Sequence, residues 1–172
     1  MKKSILVVSM AIISCGAIAQ HDHGTQAHDS KKEINQMTPM FKDQKIGSAY
    51  TNYIELKDAL VESDALKIYE VSARLVFSLQ EVKKGAKALN EAKMVAGAKN
   101  IEEQRRMFVA LSTEMIELIK TSKLSMGKIY VEYCPMANDN AGASWLSNEA
   151  TILNPYLGDK MLKCGSVKET IQ

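Results

Sequence analysis

The stretch Asn100–Ser122, NIEEQRRMFVALSTEMIELIKTS, carries the clearest secondary-structure signal of the 172-residue chain. Its apolar side chains recur at heptad-like spacing: Ile101, Phe108, Leu111, Met115 and Leu118. Asn100 and Glu103 have the spacing of a capping box, which begins a helix. The stretch therefore predicts a long amphipathic helix with one face in a core. Its methionines are expected to pack there rather than to bind a metal.

Three further helices are predicted upstream of this one. A single apolar stripe predicts the first: Ile46, Ala49, Tyr50, Tyr53, Leu56 and Leu60. Ser63 and Asp64 are good N-cap residues for the second, which runs from Ala65 to about Lys83. This second helix is apolar on much of its circumference and is expected to be the most buried of the set. A shorter, alanine-rich helix is predicted from Ala88 to Ala96.

The sequence changes character after Gly127. Lys128–Tyr133 alternates polar and apolar residues, which is compatible with an extended segment. The chain up to Cys164 is then rich in Asn, Gly, Ser and Pro, with short helical turns expected at Ser144–Ala150 and Asp159–Lys163. The predicted fold class is therefore all-α: an antiparallel bundle of about four helices in one domain, residues 41–172, with a long C-terminal loop region that contains Cys and Met.

The N-terminus is typical of a targeting segment. Lys2 and Lys3 precede a short apolar run, and Ala17-Ile18-Ala19 supplies a small-x-small cleavage site, so residues 1–19 are predicted to be a signal peptide. The apolar run is too short to span a membrane. The alternative is a lipobox that ends at Cys15, which would make the protein a lipoprotein anchored through that residue. Either way the protein is expected to be exported, in the periplasm.

Charge argues against a nucleic-acid partner. Cleavage after Ala19 removes two of the 22 basic residues and leaves them equal in number to the 20 acidic ones. A nucleic-acid-binding protein would present a basic face instead.

Residues 20–40 are polar, lack periodicity and are predicted to form a flexible tail. All three histidines of the chain, His21, His23 and His28, lie here. A short His-containing tract can bind copper, nickel or zinc. The alternative is a solvated leader with no site of its own, and the residues do not decide between the two.

Two sulfur pairs stand out beyond the helices: Cys134 with Met136, and Met161 with Cys164. A Cys134–Cys164 disulfide is natural in an exported protein. Alternatively, thiolate and thioether sulfurs favour soft cations such as Cu(I) and Ag(I). A catalytic cysteine is disfavoured because the sequence beyond the tail contains no histidine to act as its base. The chain is predicted not to be an enzyme. The spacing of these residues does not decide between a disulfide bridge and a metal site, and the composition favours the bridge.

The motifs of this region resemble a known family. Tyr133–Met136, Gly142–Ser147 and Asn154–Gly165 are similar to the signature of the bacterial domain-of-unknown-function family thirty-three forty-seven. Ile101–Ser112 resembles the helix that precedes that signature, and the similarity covers about Ile46 to Glu169. The family occurs as small exported proteins and at the C-terminus of periplasmic copper and silver efflux adaptor subunits. The resemblance therefore implies heavy-metal handling.

With that implication, the leading hypothesis is a periplasmic protein that binds Cu(I) or Ag(I) for buffering or for delivery to an efflux or maturation partner. The expected ligands are Cys134, Met136, Met161 and Cys164, with a secondary site in the histidine tail. Trp145 and Tyr156 are expected to shield the site, and a heavy-metal efflux adaptor or a cuproprotein is the expected partner. The alternative is a structural or protein-interaction module pinned by a Cys134–Cys164 disulfide, without metal.

Overall fold

A computed structural model describes residues Thr38–Gln172. The predicted signal peptide, Cys15, and the three tail histidines at positions 21, 23 and 28 lie outside the described residues. The helices are α1 (Gln44–Glu62), α2 (Ala65–Gln80), α3 (Ala86–Gly97) and α4 (Ile101–Lys120). The strands are β1 (Met40–Phe41), β2 (Leu124–Met126), β3 (Ile129–Cys134), β4 (Ala143–Ser147) and β5 (Ser166–Ile171), with one 3-10 turn at Gly158–Lys160.

Side-chain caps fix where three of the helices begin. Asp43 accepts a hydrogen bond from the Lys45 amide at 2.9 Å, and Asp64 accepts one from the Lys67 amide at 3.1 Å. Asn100 caps α4 by accepting from the Glu103 amide at 2.9 Å, as its spacing predicted. These bonds satisfy amides that have no partner inside the helix.

The all-α prediction is wrong, although its four helices are present. Within residues 38–172, five strands form two antiparallel sheets: β1 pairs with β2, and the second sheet has the order β4-β3-β5. The helical turn expected at Ser144–Ala150 is largely strand β4, whose residues pair with β3. The possible extended segment at Lys128–Tyr133 corresponds to β3. The other strands were missed because they are short and separated by Asn- and Gly-rich turns, so their alternation extends over too few residues to stand out.

The prediction that α2 is the most buried helix is also wrong. Leu66, Tyr69 and Phe77 of this helix are 80%, 68% and 72% exposed. Helix α2 packs between α1 and α3, and these neighbours cover only the side that carries Ile68, Val71 and Leu75. Leu66, Tyr69 and Phe77 lie outside this side of the helix and therefore face outward.

An aromatic series connects the helices to the C-terminal region. The Tyr53 ring of α1 stacks on Phe108 of α4 at 5.3 Å, Phe108 contacts Tyr156 at 5.7 Å, and Tyr156 meets Trp145 of β4 edge-on at 5.9 Å. The Tyr53 hydroxyl also lies 2.7 Å from Ser112 Oγ and accepts from the Leu146 amide at 3.2 Å. One continuous core therefore runs from α1 to β4. No helix within residues 38–172 is long and apolar enough to cross a membrane.

Candidate functional site

A disulfide joins the two cysteines of the motif region. Cys134 ends β3 and Cys164 precedes β5, and the structure bonds them with their Cα atoms 5.8 Å apart. The bridge spans 30 residues of sequence. A closed loop of this length stabilises a folded chain by about 3–4 kcal/mol in the chain-entropy model. The bridge therefore anchors the segment between the two cysteines, which contains β4 and the 3-10 turn, to the end of β3, the central strand of the sheet.

Trp145 packs beside this bridge. Its side chain is fully buried, and a Cβ atom added at Gly165 would lie 2.9 Å from its Cη2 atom and 3.0 Å from the Tyr133 carbonyl oxygen. Gly165 also has φ +143°, a conformation that side chains disfavour. Only glycine therefore fits directly after Cys164. Tyr156 is buried against Trp145 and donates a hydrogen bond to the Ser144 carbonyl at 2.6 Å; burial raises its pKa well above the usual range.

The sulfur atoms are placed unequally. The structure brings Cys134 and Cys164 together, while Met136 and Met161 are 46% and 38% exposed. The helical turn expected to align Met161 with Cys164 ends at Lys160, because Met161 has the non-helical angles φ −150° and ψ 54°. Cys164 instead donates its amide to the Met161 carbonyl at 3.0 Å.

The expected four-sulfur ligand set does not fit a soft metal in this oxidised state. Two sulfurs that are bonded to each other offer no thiolate, and thiolates are the strong soft ligands of the set. Across the described part of the chain, no group of three or more His, Cys, Asp or Glu side chains could hold a metal ion. Cu(I) binding by these four residues therefore stays a prediction for the reduced protein.

A polar cleft of about 380 Å³ lies between α4 and the turn that follows Cys134. Arg105, Arg106, Glu102 and Val109 line its α4 side, and Met136, Asn138, Asp139, Asn140, Tyr156, Leu157 and Lys160 complete its lining. Asn138, Asp139 and Asn140 all adopt positive φ, between 52° and 66°. Asn and Asp are the side chains that tolerate this conformation best. The turn begins at Pro135, directly after the bridged Cys134, so the disulfide fixes its base.

Arg105 holds the walls of the cleft together. Its Nε donates to the Pro155 carbonyl at 3.0 Å, and its Nη2 donates to the Leu60 carbonyl at 2.8 Å and to Ser63 Oγ at 2.9 Å. Burial lowers the pKa of this guanidinium. Because its donors bond to three groups on two segments, the C-terminal end of α1 and the Pro155 turn, Arg105 is a structural residue of the cleft rather than a free ligand-binding group.

Asn154 organises the opposite wall. Its side chain is fully buried, accepts from the Tyr156 and Leu157 amides at 2.8 and 3.1 Å, and donates to the Cys164 carbonyl at 2.9 Å. One side chain thus fixes both the 155–157 turn and the backbone of a bridged cysteine. This role was not predicted from the sequence, although an Asn before Pro is a turn signal that could have indicated it.

The three-stranded sheet β4-β3-β5 contains a buried carboxyl group. Glu132 of β3 is fully buried, and neither of its oxygens has a hydrogen-bond partner among the described residues; the same holds for Nε1 of Trp145, its register partner on β4. Burial raises the pKa of Glu132 to about 8, although Lys57 and the indole N–H of Trp145 act in the opposite direction. Glu132 was not predicted from the sequence either.

Residues 49–127 match the sequence profile of a family described as "Protein of unknown function (DUF3347)". The helical part of this chain is a DUF3347 domain. The match confirms the family that the motifs resembled, and it runs from α1 to just beyond β2. The disulfide, the cleft turn and Trp145 lie C-terminal to the matched residues. No curated protein and no solved structure matches the chain significantly.

Proposed function

We propose that this DUF3347 protein is a disulfide-locked protein-interaction module, and that the cleft beside α4 receives a polar segment of a partner protein. The observation that carries the proposal is the Cys134–Cys164 bridge, which fixes the base of the cleft turn. A rigid recognition surface loses less conformational entropy on binding than a mobile one. The disulfide is then part of the binding function, not only of stability.

The charges of the cleft support this role. Glu102, Arg106, Asp139 and Lys160 line it and form no ion pair with any residue of the described chain. All four are exposed. Charges of both signs around one cleft give orientation and specificity to a partner that carries the complementary pattern. The half-exposed Met136 adds an adaptable apolar contact.

We further propose that the protein acts in the periplasm and that its partner is the adaptor subunit of a heavy-metal efflux pump. A disulfide persists outside the reducing cytoplasm, which supports the location. The choice of partner rests on the family resemblance and on no contact in this structure.

A binding measurement tests the interaction. The oxidised protein is immobilised, and the soluble part of the adaptor is the probe in biolayer interferometry. We expect Arg106→Glu and Asp139→Lys to weaken binding at least tenfold, and Lys93→Glu on the exposed side of α3 to leave it unchanged as a matched charge reversal. Binding that is absent in the wild type, or equally sensitive to all three substitutions, contradicts the proposal.

Soft-metal binding is the second candidate, and the short distance between the cysteines favours it. Reduction would free two thiols on Cα atoms 5.8 Å apart, with Met136 and Met161 partly exposed nearby. Two thiolates suffice for Cu(I) or Ag(I) as cargo, with the thioethers as additional ligands. Trp145 and Tyr156 would then exclude water from the site, and the histidine tail would supply a secondary site.

An anaerobic Cu(I) titration against a chromophoric chelator separates the two candidates. Under the metal candidate, the reduced protein removes one equivalent from the chelator, whereas the oxidised protein and a Cys134→Ser/Cys164→Ser variant do not. If the reduced protein does not compete with the chelator for Cu(I), the metal candidate fails and the disulfide-locked module remains the only candidate. A count of free thiols in protein isolated without reductant shows which form the cell makes.

A further inference from the structure

Helix α2 presents an apolar stripe to the outside of the molecule. Leu66, Tyr69, Ala73 and Phe77 are all exposed and recur at spacings of three, four and four residues, so they share one face of the helix. Leu66, Phe77 and Tyr69 are the three most exposed large hydrophobic side chains in the described part of the chain. A continuous row of this kind, unlike scattered surface leucines, marks a contact surface.

A groove adjoins the Phe77 end of the stripe. It has a volume of about 580 Å³ between α1 and α2, and Ala73 and Phe77 line it together with Ser48 and Asn52. Two ion pairs connect its walls: Lys45 with Glu81, at 3.1 Å, and Arg74 with Glu55. The groove therefore offers space for an apolar side chain within a charged rim.

The stripe is complementary to itself when reversed. Its midpoint falls between Val71 and Ser72, so an antiparallel copy of α2 places Leu66 opposite Phe77 and Tyr69 opposite Arg74. Leu66 of the second copy then lies at the end where the groove can receive it.

The flanking charges also fit this arrangement. Glu70 of one copy approaches Arg74 of the other, and the symmetry repeats the pair on the second copy. A contact in which residue i meets j while j meets i is the isologous type found in twofold dimers. Both the apolar row and the charges therefore match the same register.

We propose that the α2 stripe is a homodimer interface, in which α2 packs antiparallel against α2 of a second copy of this chain. A helix of 16 residues is about 24 Å long. One such helix pair buries less than the ~1,600 Å² of a standard protein–protein interface. We therefore expect a reversible dimer with a dissociation constant in the micromolar range.

Sedimentation equilibrium of the oxidised full chain between about 1 µM and 1 mM tests the interface. The wild type should shift from monomer to dimer mass across this range. Phe77→Ser should weaken dimerisation at least tenfold, whereas Met94→Ser, at a 52% exposed methionine on α3, should not change it. A wild type that stays monomeric at 1 mM, or an equal loss in both variants, overturns the proposal.

A charge swap tests the antiparallel register. Glu70→Arg places two arginines together in the proposed dimer and should weaken it, and the double variant Glu70→Arg/Arg74→Glu should restore it. Both positions are exposed, and circular dichroism checks that each variant keeps its helical content, since Arg74→Glu also removes the ion pair with Glu55. A double variant that dimerises no better than Glu70→Arg excludes the proposed pairing.

Discussion

The helical part of the molecule, α1 to α4, and the C-terminal part, β3 to β5, are stabilised in different ways. In the helical part, consecutive helices pack against one another; each helix has its own apolar stripe, and α1, α2 and α4 each begin at a side-chain cap. In the C-terminal part, groups far apart in sequence fix the chain: the disulfide over 30 residues, and Arg105 bonded to Pro155 at a separation of 50. Local pattern therefore specifies the first part, and long-range contacts specify the second.

The largest effect is expected where the two parts share one core. Phe108→Ala removes the ring between Tyr53 and Tyr156 and should lower the free energy of unfolding by about 3–5 kcal/mol. Phe77→Ala is the matched control, because that ring is 72% exposed and its loss should cost less than about 1 kcal/mol at low protein concentration. Urea unfolding measures both, and similar losses would contradict the continuous core.

Removing the bridge should affect the C-terminal part selectively. A Cys134→Ala/Cys164→Ala variant should lose about 3–4 kcal/mol, because its unfolded chain is no longer constrained. Trp145, the only tryptophan, lies beside the bridge and reports on the region by fluorescence. Met136→Leu, near the bridge but partly exposed, is the control and should stay close to the wild type. An unchanged midpoint in the double variant would show that the bridge does not stabilise the region.

Gly165 is a position in the C-terminal part that admits only one residue type. Gly165→Ala forces a Cβ towards Trp145 at positive φ and should cost about 1–3 kcal/mol. Gly97→Ala, in a helix with nothing within 4 Å of the added Cβ, is the control and should be neutral or stabilising. Thermal unfolding of the two variants gives the difference; equal melting temperatures would refute the tight fit.

A smaller, pH-dependent effect is expected at Glu132. The unfolded carboxyl ionises near its ordinary pKa of 4.5, whereas the folded one keeps its proton until about pH 8. The folded state then binds the extra proton, so this group makes stability fall as pH rises from about 4.5 to 8. Glu132→Gln should therefore be more stable than the wild type by about 1–3 kcal/mol at pH 8, and nearly equal to it at pH 4.5.

Denaturant unfolding at both pH values checks this expectation, with the exposed Glu149→Gln as the control. A Glu132→Gln variant that is destabilised at pH 8 would mean that the Lys57 and Trp145 groups outweigh burial and keep Glu132 ionised.

The sequence predicted the helices well because each carries its own information. The α4 stripe and its Asn100 cap lie within one continuous stretch, and the structure has both. The stripe of α2 shows the limit of this reasoning. Periodicity indicates which residues share a face, but packing against α1 and α3 decides how much of the circumference is covered.

The candidate site was only partly predictable. Its cysteines stood out because thiols are rare in the chain, and the structure bonds them. The cleft did not, since it forms where the turn after Cys134 meets α4 and the Pro155 segment, which are distant in sequence. Glu132 and Asn154 read as ordinary polar residues until burial is known. Tertiary structure alone creates these environments.

The deciding measurement is hydrogen exchange, read by mass spectrometry, in the oxidised and in the reduced protein. A difference in exchange between the two forms shows whether the disulfide holds the C-terminal region and its cleft on the helical part. Reduction should accelerate exchange in β3 to β5 and in the cleft turn, while α1, α3 and α4 keep their protection as an internal control. The opposite result, equal protection of the C-terminal region in both forms or equal loss throughout the molecule, would contradict the account.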